Sequence, residues 1–185
     1  MNKSKKLTSE EAYNLALRTQ NDGNFLVSEG LYAEILKTNP DHADANNNYG
    51  IVLLQLGKIE KAKNYFEKTI KIDPVHNNVY NNLGSLYYKL EEYQEAIKYF
   101  KRSLKVNASL LQGHYNLGNV YSKLRDYQNA IKSYEKAIEL GYYDINIYNN
   151  LGLTFFFTGD FQKAITCYKK VIEIDPDNLN ANFNL

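Results

Sequence analysis

Glycine stands at positions 50, 84, 118 and 152, a step of 34 residues each time, and asparagine stands two places before every one of them. The asparagine column runs one step further in each direction, giving Asn14, Asn48, Asn82, Asn116, Asn150 and Asn184. A fixed period of this length restricts the chain to a stack of supersecondary units, because one such unit buries its apolar face only against its neighbours. Aligned on the glycines, the units run 9–42, 43–76, 77–110, 111–144 and 145–178. A tail of residues 1–8 precedes them, and residues 179–185 begin a sixth unit that stops short of its glycine.

Within each unit the apolar residues recur with helical spacing in two blocks, so the spacing predicts an all-α chain of antiparallel helix pairs. Thr8 followed by Glu11 predicts a capping box at the start of the first helix, and Ser109 with Gln112 predicts another. The turn between the paired helices carries Gly23, Gly57 and Gly159, with Glu91 and Arg125 in the other two units. Pro40, Pro74 and Pro176 mark unit ends, where proline cannot continue a helix. Glycine inside a helix costs roughly 1 kcal/mol against alanine, so four in register imply a close approach of the paired helices. The small residues Ser28, Ala62, Ala96, Ala130 and Ala164 are the expected counterparts at that approach. Aromatic columns fill the space around it: Tyr32, Phe66, Phe100, Tyr134 and Tyr168, and Phe25, Tyr93, Tyr127 and Phe161. Packing therefore accounts for most of the aromatic content.

Charge and cysteine usage narrow the function classes. A net charge of +1 gives none of the basic field that nucleic acid or a membrane surface requires. Lys3, Lys5 and Lys6 read as a solvated tail. Cys167 is the only cysteine, which excludes an internal disulfide and suits a reducing, cytoplasmic setting. Lys5-Lys6 leads into polar residues, so no secretory signal is visible, and no apolar run approaches a membrane span.

These columns resemble the tetratricopeptide repeat (TPR) family from about Ser9 onward. The third unit supplies the family's Tyr80, Leu83, Gly84, Tyr87, Ala96, Phe100 and Ser103, departing only with Ala108 in place of proline. The fifth supplies Tyr148, Leu151, Gly152, Phe155, Ala164, Tyr168 and Pro176. The first is the most degenerate, with Ala12, Ala16 and Thr19. The resemblance implies a right-handed α-solenoid of about five units, with the first helix of each lining a concave groove that binds an extended peptide or a partner helix.

On that pattern the groove carries the asparagine column together with Asn47, Asn81, Tyr115 and Asn149 beside it. Tyr88, Lys89, Asn119 and Lys123 complete the candidate site. A side-chain amide offers donors and an acceptor, so a ladder of them can pair with a peptide backbone regardless of its sequence. The ladder is similar to the one in the helical-repeat arm of O-GlcNAc transferases, which holds substrate peptide backbone. Asparagine is also common at this position across TPR proteins, where it hydrogen-bonds locally or solvates the groove. The two-carboxylate clamp of chaperone-tail-binding repeats is absent, since its lysine and arginine positions hold neither. On these readings, replacing Asn82 and Asn116 by alanine weakens binding and leaves helicity and melting intact.

Catalytic chemistry has no candidate residues. His42 and His76 close their units as loop residues without converging metal ligands. His114 reads as a packed core histidine, and Cys167 as an incidental thiol without a neighbouring base. The glycines never cluster into a phosphate loop. The expectation is a non-enzymatic protein-interaction module without cofactor or metal. Two alternatives stand beside it: the recognition arm of a larger glycosyltransferase or sulfotransferase, and a scaffold that dimerises through the uncapped end near Ile172, Ile174, Phe183 and Leu185.

Overall fold

The structure is a computed structural model that describes residues 7–184, the side chains of residues 180, 183 and 184 excepted. Among the described residues it contains eleven α-helices and no strand. Lys3, Lys5, Lys6 and Leu185 lie outside the described residues, as does the side chain of Asn184. The chain forms two compact units, residues 1–86 and 87–185, and each is taken separately.

The first unit holds α1 (Ser9–Asn21), α2 (Phe25–Thr38), α3 (Ala43–Gln55), α4 (Ile59–Ile72) and the start of α5 (Val79–Lys89). The capping box of α1 forms as its sequence specifies: Glu11 N–H donates to Thr8 Oγ1 at 3.1 Å, and Thr8 N–H donates to Glu11 Oε2 at 2.8 Å. Helix α3 is capped differently, by His42 Nδ1 accepting from Ala45 N–H at 3.4 Å. The His42 ring also stacks on Tyr13 at 5.0 Å. His76 is buried, and its Nε2 lies 3.0 Å from Asp44 Oδ1. Both histidines thus have structural partners, and no metal-binding group of three ligands exists among the described residues.

The second unit holds the end of α5 followed by α6 (Tyr93–Val106), α7 (Leu111–Lys123), α8 (Tyr127–Glu139), α9 (Ile145–Thr158), α10 (Phe161–Ile174) and α11 (Leu179–Asn184). Its core gathers Tyr134, Ile147, Leu151, Phe155, Tyr168 and Val171. The expected capping box at Ser109 does not form. Leu110 is the N-cap of α7 and gives no side-chain hydrogen bond. Ser109 N–H instead donates to Asn107 Oδ1 in a local turn, while the Gln112 amide turns along α7 to Asn116 Oδ1 at 3.0 Å. A turn closed by Asn107 has already used the backbone that the box would need.

The glycine column admits an aromatic ring, where the sequence pointed to small residues. A Cβ at Gly118 would come within 2.5 Å of the Tyr134 ring, at Gly50 within 2.6 Å of Phe66, and at Gly152 within 2.9 Å of Tyr168. Ala62, Ala130 and Ala164 are buried, but the contact that excludes a side chain at the glycine is the ring four residues further along the second helix. A second recurring device ties unit ends down. Asn46 Nδ2 donates to Pro40 O at 2.9 Å, Tyr80 Oη to Pro74 O at 2.8 Å, and His114 Nε2 lies 3.0 Å from Ala108 O. His114 is therefore a half-buried latch in its Nε2–H form and not a core histidine.

The interhelix turn column adopts a left-handed backbone throughout: φ is 74° at Gly23, 73° at Gly57 and 81° at Gly159, and also 60° at Glu91 and 59° at Arg125. A side chain in that region costs roughly 1–2 kcal/mol, part of which glycine returns as unfolded-state entropy. Arg125→Gly and Glu91→Gly are each expected to raise stability by about 0.5–1 kcal/mol. Urea denaturation checks this; an unchanged or lower midpoint contradicts it.

Candidate functional site

The asparagine column is built into the stack by a step of 35 residues, one back from the period. Asn48 Nδ2 donates to Tyr13 Oη at 3.0 Å, and Asn82 Nδ2 to Asn47 Oδ1 at 2.8 Å. In the second unit Asn150 Nδ2 donates to Tyr115 Oη at 3.3 Å and to Asn119 Oδ1 at 3.0 Å. Each amide therefore spends donor capacity on the residue next to the asparagine of the preceding helix pair. Asn47 is buried and also donates to Asn48 Oδ1 at 3.1 Å. A neutral hydrogen bond of this kind contributes about 0.5–1.5 kcal/mol, so truncating Asn82 disturbs the stack as well as the groove. Asn149 Oδ1 is buried and finds no partner among the described residues.

The remaining candidates divide by exposure. Asn14, Lys89 and Lys123 are exposed, and Asn81, Tyr88, Tyr115, Asn116, Asn119 and Asn150 are half-buried. Asn116 Oδ1 accepts from Gln112, which fixes its side chain along α7. The phenol of Tyr88 is held above its usual pKa by burial and then by neighbouring Tyr93 and Tyr115. Tyr13 is raised in the same way, by burial and then by the charge of Asp44. Both remain neutral hydroxyls at physiological pH.

Five of the candidates come together in the second unit. Tyr88, Tyr115, Asn119, Lys123 and Asn150 line one open cleft of ≈ 610 Å³. Helix α7 presents Tyr115, Asn119 and Lys123 on one face by their spacing of four. Asn119 Oδ1 is the fixed point of the floor, accepting from Tyr134 Oη at 2.8 Å as well as from Asn150. Arg125, Tyr127 and the hydroxyl-bearing edge of Tyr134 join the lining, as do Leu153 and Phe157 from α9. Tyr127 and Tyr134 read from sequence as core and Arg125 as a turn residue. The signal that could have placed Tyr127 is the run Phe155-Phe156-Phe157, whose helical spacing turns Phe157 away from buried Phe155. The Tyr127 and Phe157 rings stack at 5.4 Å and 10°.

Cys167, by contrast, is buried beside the core, and burial pushes its thiol up to about 11. A thiol so protonated is a poor nucleophile. No helix among the described residues is long and apolar enough to cross a membrane.

Paired, stacked helix hairpins without a strand among the described residues define an all-helical repeat protein. Tetratricopeptide repeat models match residues 43–76, 76–140 and 109–177, and the chain belongs to the tetratricopeptide repeat family. No curated protein matches it. Among solved structures, that of MamA is 26% identical, with 85% of this chain and 92% of the other covered and a TM-score of 0.74. The pilF protein of Pseudomonas aeruginosa is 17% identical over 95% of this chain and 88% of its own, with a TM-score of 0.82. YrrB, a TPR protein with an unusual peptide-binding site, is 20% identical over 95% and 91% with a TM-score of 0.72.

Proposed function

We propose that this chain is a non-catalytic binding module that holds an extended segment of another protein, with the second unit's cleft as the principal contact. The observation that carries this reading is the composition of the cleft: aromatic faces for contact area, amides for backbone pairing, and an open mouth. The asparagine column supports it in a modified sense. The donors of Asn48, Asn82 and Asn150 hold neighbouring helices in register, so the contribution of these three to a ligand comes from the remaining acceptor oxygens and from the rigidity they give to the surrounding tyrosines. An O-GlcNAc-transferase-like backbone ladder is the finer form of the same idea.

Panning a random dodecapeptide library on the purified chain provides the test. Enriched peptides are expected to bind with micromolar affinity and to lose tenfold or more with Tyr88→Ala or Phe157→Ala, about 1.4 kcal/mol each. These two side chains make none of the stack's hydrogen bonds, so the chain is expected to stay folded, with melting lowered only by the lost ring contacts to Tyr93 and Tyr127. Binders indifferent to both substitutions would refute the cleft as the site.

A further inference from the structure

We infer that the partner segment is acidic and carries an aromatic or large apolar side chain, the ring lodging beside Tyr127 and Phe157 and its neighbouring carboxylates meeting Lys123 and Arg125. The inference rests on the cleft being a peptide site, and adds what kind of peptide.

Charge is the first observation. The whole chain is nearly balanced, with 22 Lys and Arg against 21 Asp and Glu. The cleft is not: its lining includes Lys123 and Arg125 and no carboxylate. Four lysines of this unit are neutralised along their own helices: Lys98 with Glu95, Lys136 with Glu139, Lys163 with Asp160 and Lys170 with Glu173. Lys123 and Arg125 make no ion pair with any described residue. The nearest acid in sequence, Asp126, is occupied at the N-terminus of α8, accepting from Asn129 N–H at 3.3 Å and Asn129 Nδ2 at 2.7 Å. Two exposed cations lining an open cleft without a carboxylate draw anionic groups and repel cationic ones.

The second observation is the apolar wall. Phe157 is 56% exposed, Phe156 51% and Leu153 42%. Phe156 meets Phe157 edge-on at 5.9 Å and Phe161 at 5.7 Å, so the rings form one contiguous patch. An exposed apolar patch of this kind marks a contact surface, and rigid aromatic rings are the side chains that anchor such contacts. An aromatic box alone would equally suit a quaternary or methylated ammonium group. The paired cations exclude that class by like-charge repulsion, and leave an acidic-aromatic segment as the complementary occupant.

Fluorescence anisotropy with three capped hexapeptides decides the matter: Asp-Asp-Phe-Asp-Phe-Gly, the same peptide with Asn for every Asp, and the same with Lys for every Asp. The acidic peptide is expected to bind at least tenfold tighter than the Asn form, with the Lys form weakest. The preference is expected to vanish at 0.5 M salt, where exposed charges are screened, and to invert in the Lys123→Glu/Arg125→Glu double variant. Acidic and Asn peptides binding equally, both lost with Phe157→Ala, overturns the charge inference while the peptide site stands. No binding by any of the three, with no binder from the random library, overturns both. Anionic phosphatidylserine vesicles that pellet the chain through Phe157, or a concentration-dependent dimer abolished by Phe157→Ala, would assign the patch to a lipid surface or a second copy and overturn the inference.

Discussion

Replacing Tyr134 by alanine is expected to cost about 3–5 kcal/mol, the range for emptying a large aromatic from a close-packed interior. Tyr134 is 1% exposed and lies in the core of the second unit with Ala130, Ile147 and Leu151. Its ring edge occupies the space where Gly118 has no side chain, and its hydroxyl donates to Asn119 Oδ1 at 2.8 Å. The void left by Tyr134→Ala faces a glycine, which has nothing to move into it, so the site cannot collapse. Tyr134→Phe keeps the ring and removes only the hydroxyl. Asn119 Oδ1 still receives the Asn150 amide, and the expected cost is about 1 kcal/mol.

The interlock also fixes a sign reversal. In the native chain Gly118→Ala places a Cβ at 2.5 Å from the ring and is expected to destabilise by about 1–3 kcal/mol through overpacking. With Tyr134→Ala already present the same change meets no ring, regains roughly 1 kcal/mol of helix propensity and is expected to stabilise. Urea denaturation of the two single variants and the double gives the coupling directly. Independent, additive effects would show that glycine and ring do not interlock.

Sequence and structure agree on much of what is local or periodic. Thr8 and Glu11 lie three residues apart and cap α1 as their types dictate. The turn column reads correctly even at Glu91 and Arg125, because position in the period, and not residue type, sets the left-handed backbone there. Five of the candidate groove residues do gather around one cleft. What the sequence hides is which neighbour a column faces. The glycines point to a close approach, but a helical column has several neighbours on the facing helix, and only coordinates distinguish the alanine from the ring of Tyr134 or Phe66. The asparagines hide their partners for a related reason. A side-chain hydrogen bond across 35 residues, such as Asn48 to Tyr13, depends on rotamer and helix offset and leaves no mark in either segment alone. Ser109 shows the limit for local motifs too, since Asn107 competes for the same backbone and prevails.

Alkaline solution is expected to unfold this chain, beginning near pH 10. The buried phenols of Tyr32 and Tyr134, 0% and 1% exposed, are held protonated well above the usual tyrosine range. For Tyr32 the cause is burial and then the neighbouring phenol of Tyr13; for Tyr134 it is burial and then Tyr115 and Tyr88. An acid whose folded pKa is raised keeps its proton in the native state after the unfolded chain has released it. Its contribution to stability is therefore complete below the unfolded pKa, about 10 for tyrosine, and is lost as pH climbs toward the folded value. Each such group removes up to about 1.4 kcal/mol per pH unit once the pH is well above the unfolded pKa, so the two together remove about 2 kcal/mol between pH 10 and 11. Cys167, pushed up to about 11 by burial, adds to the loss from the ordinary thiol range upward. Against a net stability of about 5–15 kcal/mol for a native protein, a further unit of pH brings the folded state to its limit. Circular dichroism of urea titrations from pH 8 to 11.5 measures the slope. Tyr134→Phe, which keeps the ring and carries no ionisable proton, is expected to reduce it by about 1.4 kcal/mol per pH unit. A stability flat across pH 10 to 11.5 would mean that these phenols ionise in place, and that the tyrosine cores are wetter than their packing states.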